Sequence, residues 1–368
     1  MKKGWLPARL NLPSAQKALR GIRAVAEIPI RNVYYLLCYA WGQMQEGSLA
    51  EAGATGHTEL ADLFADVLST GTRRVLRQGL DRGYVARSED TARLRGRINF
   101  SASAKRALLP QAKAHCTFDE LSRNVLHNQI LRSTLRQLRQ VECLDEDLRS
   151  GLRGLERRFR GVDLIPLSGR AFGQLQLHAG NSFYRFLMNV CRLVHQNTIA
   201  TESGARRFQN FRRDEAQMWR LFENFVYNFY EHEQSTYRVS SPLVQWDRPA
   251  GAEKPARLPT MNTDIVLARG ERAIIIDTKF YRDTLGAHHE KQSYHSGNLY
   301  QLFSYLKNAA AQWRLAAGQL EGILLYPTVA TALDDSFVLG GHRVRVATLD
   351  LAGSWQSIRD RLLLLAGL

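Results

Sequence analysis

Long apolar runs are missing from this chain of 368 residues. None approaches the roughly 18 residues that a bilayer-spanning helix requires, so no membrane is expected among its partners. The basic opening stretch, residues 1–27, lacks the apolar segment of a secretory signal, and a cytoplasmic location is expected. Cysteine is scarce and scattered: Cys38, Cys116, Cys143 and Cys191 form no C-x-x-C pair. That spacing argues against a zinc site and offers no disulfide framework. No phosphate-binding loop of the form G-x-x-x-x-G-K-S/T is present, so the chain itself is not expected to bind a nucleoside triphosphate. Internal repeats and long low-complexity tracts are absent as well.

Negative charge is also in short supply. Fifty Lys+Arg stand against 35 Asp+Glu, a net +15, which points to a polyanionic or acidic partner. The excess belongs to the first half: residues 1–200 carry 30 basic and 17 acidic side chains, the rest 20 and 18. Arginine dominates it, and the planar guanidinium fork suits phosphate contacts. DNA or RNA contact by this half is therefore expected, double-stranded DNA being the partner taken forward, with a merely solvated basic surface as the alternative.

What is present suggests two domains, since one core rarely serves so long a chain. Residues 1–27 read as a basic extension, with disorder as the simplest expectation. Residues 28–205 read as a mostly helical domain with a small β insertion. Helical spacing marks 31–48 and 58–78, the latter stopped by Gly79. Short strands are expected within 82–100, then helices at 118–140, 144–159 and 181–198. Tyr34, Tyr35, Tyr39 and Trp41 recur at helical spacing, the usual mark of a core face, with a protein-binding face as the alternative. From 206 to 368 the pattern predicts a helix at 214–232, a strand at 237–246, and a hairpin of MNTDIVLA and RAIIIDTKFY about a turn at Arg269–Glu271. A helix at 298–314, strands at 322–327 and 343–351, and a helix at 354–366 follow. The fold class is thus α+β or α/β, with an α-β-β-β-α-β core and a mixed sheet flanked by helices.

The hairpin carries the chemistry. Side chains alternate along a strand, so Asp277 and Lys279 project from one face while Ile274, Ile276 and Thr278 face the other. Closing the hairpin brings Asp264 beside Asp277. Two carboxylates so close do not both stay ionised unless a cation lies between them. Magnesium fits, taking the two carboxylates and the Thr278 carbonyl while keeping waters. Lys279 would steady charge developing on a phosphate or orient the attacking water. Glu223, on the helix at 214–232, is a further candidate acid, and Gln301, on the helix at 298–314, a candidate for positioning DNA or water. Against this stands a purely structural ion network of Asp264, Asp277 and Lys279, a costly device in so apolar a strand.

The spacing D-x(12)-D-x-K resembles the PD-(D/E)XK nuclease superfamily, with Thr263 where a proline is usual. Gln301 with Tyr305 looks like the Gln-x-x-x-Tyr feature of its RecB-like branch. More specifically, IPIRNVYYLLCYAWG (28–42), GRINF (96–100), TFDELSRNVLHNQILRSTL (117–135), LPTMNTDI (258–265), IIDTKFY (275–281), HSGNLYQLFSYL (295–306) and LLYP (324–327) are similar to the McrC family. That resemblance implies a nuclease subunit of a McrBC-type, modification-dependent restriction system. It implies a restriction-endonuclease-like domain over 206–368 and a 28–205 domain that docks on a hexameric McrB-like AAA+ GTPase ring and stimulates it. It also implies Mg²⁺-dependent cleavage of DNA containing 5-methylcytosine, with catalysis by Asp264, Asp277 and Lys279, joined by Glu223 and Gln301. A RecB-like repair or defence nuclease acting on ends, and a non-catalytic activator of the ring, are the alternatives.

Overall fold

The computed structural model describes residues 28–44, 57, 59–178, 180–201, 205–249, 251, 255, 257–280, 286–288, 291–328 and 332–368. The basic extension at 1–27 lies outside them. Two compact units form: one of Ser48–Gln209, the other of Met1–Gly47 with Asn210–Leu368. The first helix, α1 (Ile30–Ala40), therefore belongs to the second of these, and the sequence-based boundary that grouped it with residues up to 205 is corrected.

Among the described residues, the Ser48–Gln209 unit is built on four longer helices, with two short ones at Phe100–Lys105 and Gly169–Gly173. Helix α2 (Leu60–Gln78) buries Leu60, Leu63, Phe64, Val67, Leu68 and Val75 along one face and stops at Gly79, whose φ of 92° suits a residue without Cβ. A three-stranded antiparallel sheet follows, of β1 (Gly83–Thr91), β2 (Arg97–Ile98) and β3 (Ala114–Ser122), with β3 in the middle. The helix expected from 118 therefore begins later, as α3 (Leu126–Arg139). Residues 118–122 pair with 83–87 of β1, and that pairing overrides the helical leaning of Glu120 and Leu121. Helix α4 (Glu146–Glu156), capped by Asp145, and α5 (Ser182–Asn197) complete the unit. Both α2 and α3 pack against α4 and α5. Buried Asn128 ties three segments together: it donates to the Asp81 and Arg123 carbonyls and accepts from the Tyr184 hydroxyl, at 2.8–2.9 Å.

Gly96 marks the tightest point of the small sheet. It has φ +64°, and a Cβ there would lie 2.3 Å from the Thr117 carbonyl oxygen and 2.6 Å from the Phe118 Cβ. Gly96→Ala is expected to cost about 2 kcal/mol or more, because strain and a backbone clash act together. Urea unfolding of the variant against the parent measures it.

In the other unit α1 lies on α6 (Glu215–Glu233), a helix capped by the Asp214 carboxylate. Tyr34 and Tyr39 are buried, Tyr35 stacks on Trp355 at 5.1 Å, and the Asn32 amide donates to the Leu351 and Gly353 carbonyls. Of the aromatic stripe of α1, Tyr34 and Tyr39 are core, and Tyr35 and Trp41 are half-buried. Downstream of α6 come β4 (Arg238–Ser240), β5 (Ile265–Arg269), β6 (Arg272–Thr278), α7 (Ser296–Trp313), β7 (Leu320–Thr328), β8 (Asp334–Leu339), β9 (His342–Asp350) and α8 (Trp355–Leu365). Counting only the strands of the six-stranded sheet, α6 to β7 follows the expected α-β-β-β-α-β order, interrupted by two short pairs, Leu243–Val244 with Met261–Asn262 and Gly286–His288 with Lys291–Ser293. The strand read at 237–246 is interrupted before Pro242, and β8 was not foreseen. The sheet runs β8-β9-β7-β6-β5-β4, with β6–β7 and β7–β9 parallel and the remaining pairs antiparallel. Helix α7 crosses between the parallel strands β6 and β7 and presses closely on β7. A Cβ on Gly322 would meet Leu306 at 2.9 Å and Leu302 at 3.0 Å. Val266, Ile275, Leu302, Leu306, Leu324 and Val346 form the centre of this core.

Candidate active site

The hairpin of β5 and β6 turns on Gly270, with Ile276 opposite Ile265. One step beyond the last paired residues, that register sets Asp277 against Asp264. Asp277 shares strand parity with Ile275, which belongs to the core under α7, so the carboxylate faces the same layer and is fully buried. It lies at the C-terminal end of β6, a parallel strand of the sheet, the end where open α/β sheets bind ligands.

The four hairpin residues named from sequence come together. Asp264 accepts two hydrogen bonds on one oxygen, Oδ2: from the Thr278 backbone N–H at 2.8 Å and from its hydroxyl at 2.9 Å. These bonds hold Asp264 against the end of β6 and leave its Oδ1 without a partner among the described residues. The Lys279 ammonium lies 2.7 Å from Asp277 Oδ2. Neither oxygen of Asp277 receives a hydrogen bond of good geometry, so the ion pair is its main compensation. Burial pushes the Asp277 carboxyl up to about 7; Lys279 opposes the rise, while Asp264 and Glu223 add to it.

Glu223 is half-buried on α6. Burial first, then the negative charge of Asp264, raises its carboxyl above the ordinary range, against Lys279 and Arg220. It makes no hydrogen bond or ion pair with the hairpin residues, so it borders the pocket electrostatically without closing it. Gln301 reaches the site indirectly: its amide donates to the Tyr305 hydroxyl at 2.7 Å. Tyr305 is buried on α7. Burial and the fields of Asp277 and Asp264 push its hydroxyl up, against the Gln301 bond.

Trp219 was not foreseen. It lies one helical turn before Glu223, and its indole N–H donates to the Thr278 carbonyl at 3.2 Å. A turn-spaced aromatic beside a candidate acid was the available signal, but Trp219 also fits the apolar pattern of α6. The bond uses one of the two lone pairs on the carbonyl that sequence reasoning assigned to a metal, leaving the other.

Among the described residues no three His, Cys, Asp or Glu side chains converge closely enough to hold a metal ion. The donor set nevertheless fits a hard cation that keeps much of its water. It offers a buried carboxylate compensated by Lys279 alone, a second carboxylate with one oxygen unused, and a fixed carbonyl, all oxygen. Lys279 already supplies one positive charge to Asp277, so a cation would share that role.

This chain is 32% identical over 341 residues to the type IV methyl-directed restriction enzyme EcoKMcrBC of Escherichia coli (strain K12), spanning 91% of this chain and 96% of the relative. In fold it is similar to a chain from the half-complex of Thermococcus gammatolerans McrB AAA+ hexamers with bound McrC. That likeness has a TM-score of 0.55 at 16% identity and covers 92% of this chain and 76% of the other. Residues 20–327 match the family described as "McrBC 5-methylcytosine restriction system component", and to that family this protein belongs.

Proposed function

We propose that this chain is the Mg²⁺-dependent endonuclease subunit of a McrBC-like restriction complex, with a PD-(D/E)XK site formed by Asp264, Asp277 and Lys279. The observation that carries the reading is Asp277: a fully buried carboxylate at the end of a parallel strand, compensated only by Lys279 among the described residues. Such a group is costly for structure alone and suited to holding a cation. Asp264, Asp277 and the Thr278 carbonyl would hold Mg²⁺, which when bound supplies Lewis-acid charge at a phosphodiester. Lys279 stabilises negative charge gathering on the phosphate, Glu223 holds or moves a proton, and Tyr305 with Gln301 lines the approach. The target is DNA containing 5-methylcytosine. Cleavage depends on a hexameric AAA+ GTPase partner whose hydrolysis this chain stimulates.

The test combines the purified chain, its AAA+ partner, GTP, Mg²⁺ and circular plasmid with or without 5-methylcytosine. Cutting of the modified circle alone is expected. Equal cutting of the unmodified circle would reject modification dependence. Sparing of circles with loss of linear DNA would favour an end-dependent nuclease.

Trp219→Phe keeps the ring but removes the indole N–H that fixes the Thr278 carbonyl. Its expected cost in stability is about 1 kcal/mol. In single-turnover cleavage the rate should fall about tenfold with DNA affinity unchanged, since positioning is lost and binding is not.

A further inference from the structure

The Ser48–Gln209 unit contains a cavity of about 400 Å³, within the range of small-molecule sites. Helix α3 supplies Arg136 and Gln137, the last turn of α5 supplies His195, and Arg206 enters from the segment after α5. Residues 164–167 form an apolar wall, and among the described residues no acidic side chain lines the space.

The polar side of this cavity is built, and it is short of acceptors. Arg206 is fixed from both ends. Its backbone N–H donates to the Gln140 carbonyl and its carbonyl accepts from Glu142, while its side-chain Nε donates to Gln140 Oε1 at 3.1 Å. Its other guanidinium N–H groups have no acceptor among the described residues, and Arg136 has neither a hydrogen bond nor an ion pair there. Gln137 is only 6% exposed, yet its buried amide nitrogen also lacks an acceptor. Three donor groups, two of them cationic, thus line one concavity without a protein acceptor among the described residues; Arg136 is exposed there and Gln137 buried. A tetrahedral oxyanion satisfies that arrangement, because guanidinium forks and an amide each find a phosphate oxygen.

The opposite wall narrows the ligand further. The Ile165 N–H donates to Ser133 Oγ at 2.9 Å, and Arg132 bonds the Val162 carbonyl, so the wall is docked firmly on α3. Four residues are too few to bury an acyl chain but enough to cover a sugar and a ring. His195 stacks on Phe172 at 5.6 Å at the rim; burial, then Arg206, holds its imidazole below the ordinary range.

We propose that this cavity binds the phosphate of a nucleotide. Arg136, Arg206 and Gln137 take the phosphate, and the wall at 164–167 takes the attached sugar and base. The phosphate belongs to a free mononucleotide or to a DNA strand. Side chains rather than a glycine-rich backbone loop do the binding, so the missing phosphate loop is no obstacle. The site goes beyond the nuclease reading and does not depend on it.

The test uses the full chain in EDTA, so that the carboxylate pocket contributes no metal-dependent binding. Calorimetric titration with dCMP, competed by inorganic phosphate, reports the free source, and a short fluorescein-labelled single-stranded oligonucleotide reports the strand. Arg136→Gln and Arg206→Gln should each weaken the bound probe about tenfold, the loss of one charge-assisted contact. Arg153→Gln, on α4 away from the cavity, should change nothing. Binding of dCMP with this pattern assigns a free nucleotide; binding of the oligonucleotide alone with this pattern assigns DNA. Failure of every probe, or indifference to both arginine substitutions, overturns the proposal. Should Arg206→Gln fail to fold, the His195 imidazole resonances of the unaltered protein decide. A shift on adding saturating phosphate supports the site, and silent resonances overturn it.

Discussion

Asp277→Asn will abolish DNA cleavage, by about a thousandfold or more, and will flatten the pH dependence of stability of the metal-free chain. The cleavage loss follows if this carboxylate holds the cation. The stability effect follows from the apo structure alone. The buried carboxyl titrates at about 7 in the folded chain, against the ordinary value of 3.8. The folded protein therefore keeps this proton to higher pH than the unfolded one, and stability falls as the pH rises from about 4 through about 7, then levels. The total is on the order of 4 kcal/mol, and the asparagine, which cannot ionise, removes it. Melting in EDTA from pH 5 to 8 should show the variant's curve nearly level in that window, offset from wild type by the cost of leaving the Lys279 ammonium without its carboxylate. Added Mg²⁺ should raise the wild-type melting temperature and leave the variant's unchanged, a readout independent of the partner ring. A variant as pH-sensitive as its parent would place the titrating group elsewhere.

Lys279→Met acts in the opposite direction. It removes the ammonium 2.7 Å from a fully buried carboxylate. At pH 8 the metal-free protein should lose about 3 kcal/mol, the usual cost of stranding one member of a buried ion pair. Cleavage should fall at least about a hundredfold. The double variant Asp277→Asn/Lys279→Met should recover most of the stability and none of the cleavage. The coupling energy from that cycle measures the pair directly. Additive effects would mean that the two charges do not depend on each other.

The core of the site was legible because charge interrupts pattern. Ile274-Ile275-Ile276 demands burial, and strand parity alone puts Asp277 and Lys279 on one face. A hairpin about Arg269–Glu271 then brings up Asp264 without further information. Trp219 was hidden for the converse reason: it obeys the pattern of α6, and its bond is to a backbone carbonyl that no side-chain motif records. Helices α6 and α7 were readable from periodicity, and Asp214, where the first was expected to begin, is the N-cap of α6. Strand β3 was not, since its Glu120 and Leu121 suit a helix equally well and only pairing with β1 decides. Strand β8 begins with two aspartates and looks like a loop. It becomes a strand because Arg345 and Arg361 receive Asp334. The aromatic face of α1 announced burial but could not announce its partners, which come from the far end of the chain.

That last separation has a consequence for how the protein is made. Helix α1 is synthesised before the Ser48–Gln209 unit, yet the surfaces it packs on, α6 and Trp355, are made only after it. The whole Ser48–Gln209 unit emerges in between and can fold while α1 waits with its tyrosines exposed. A fragment begun at residue 206 would carry Asp264, Asp277 and Lys279 but leave the α1 berth on α6 bare, a sticky apolar strip in a chain that otherwise has every residue of the proposed site.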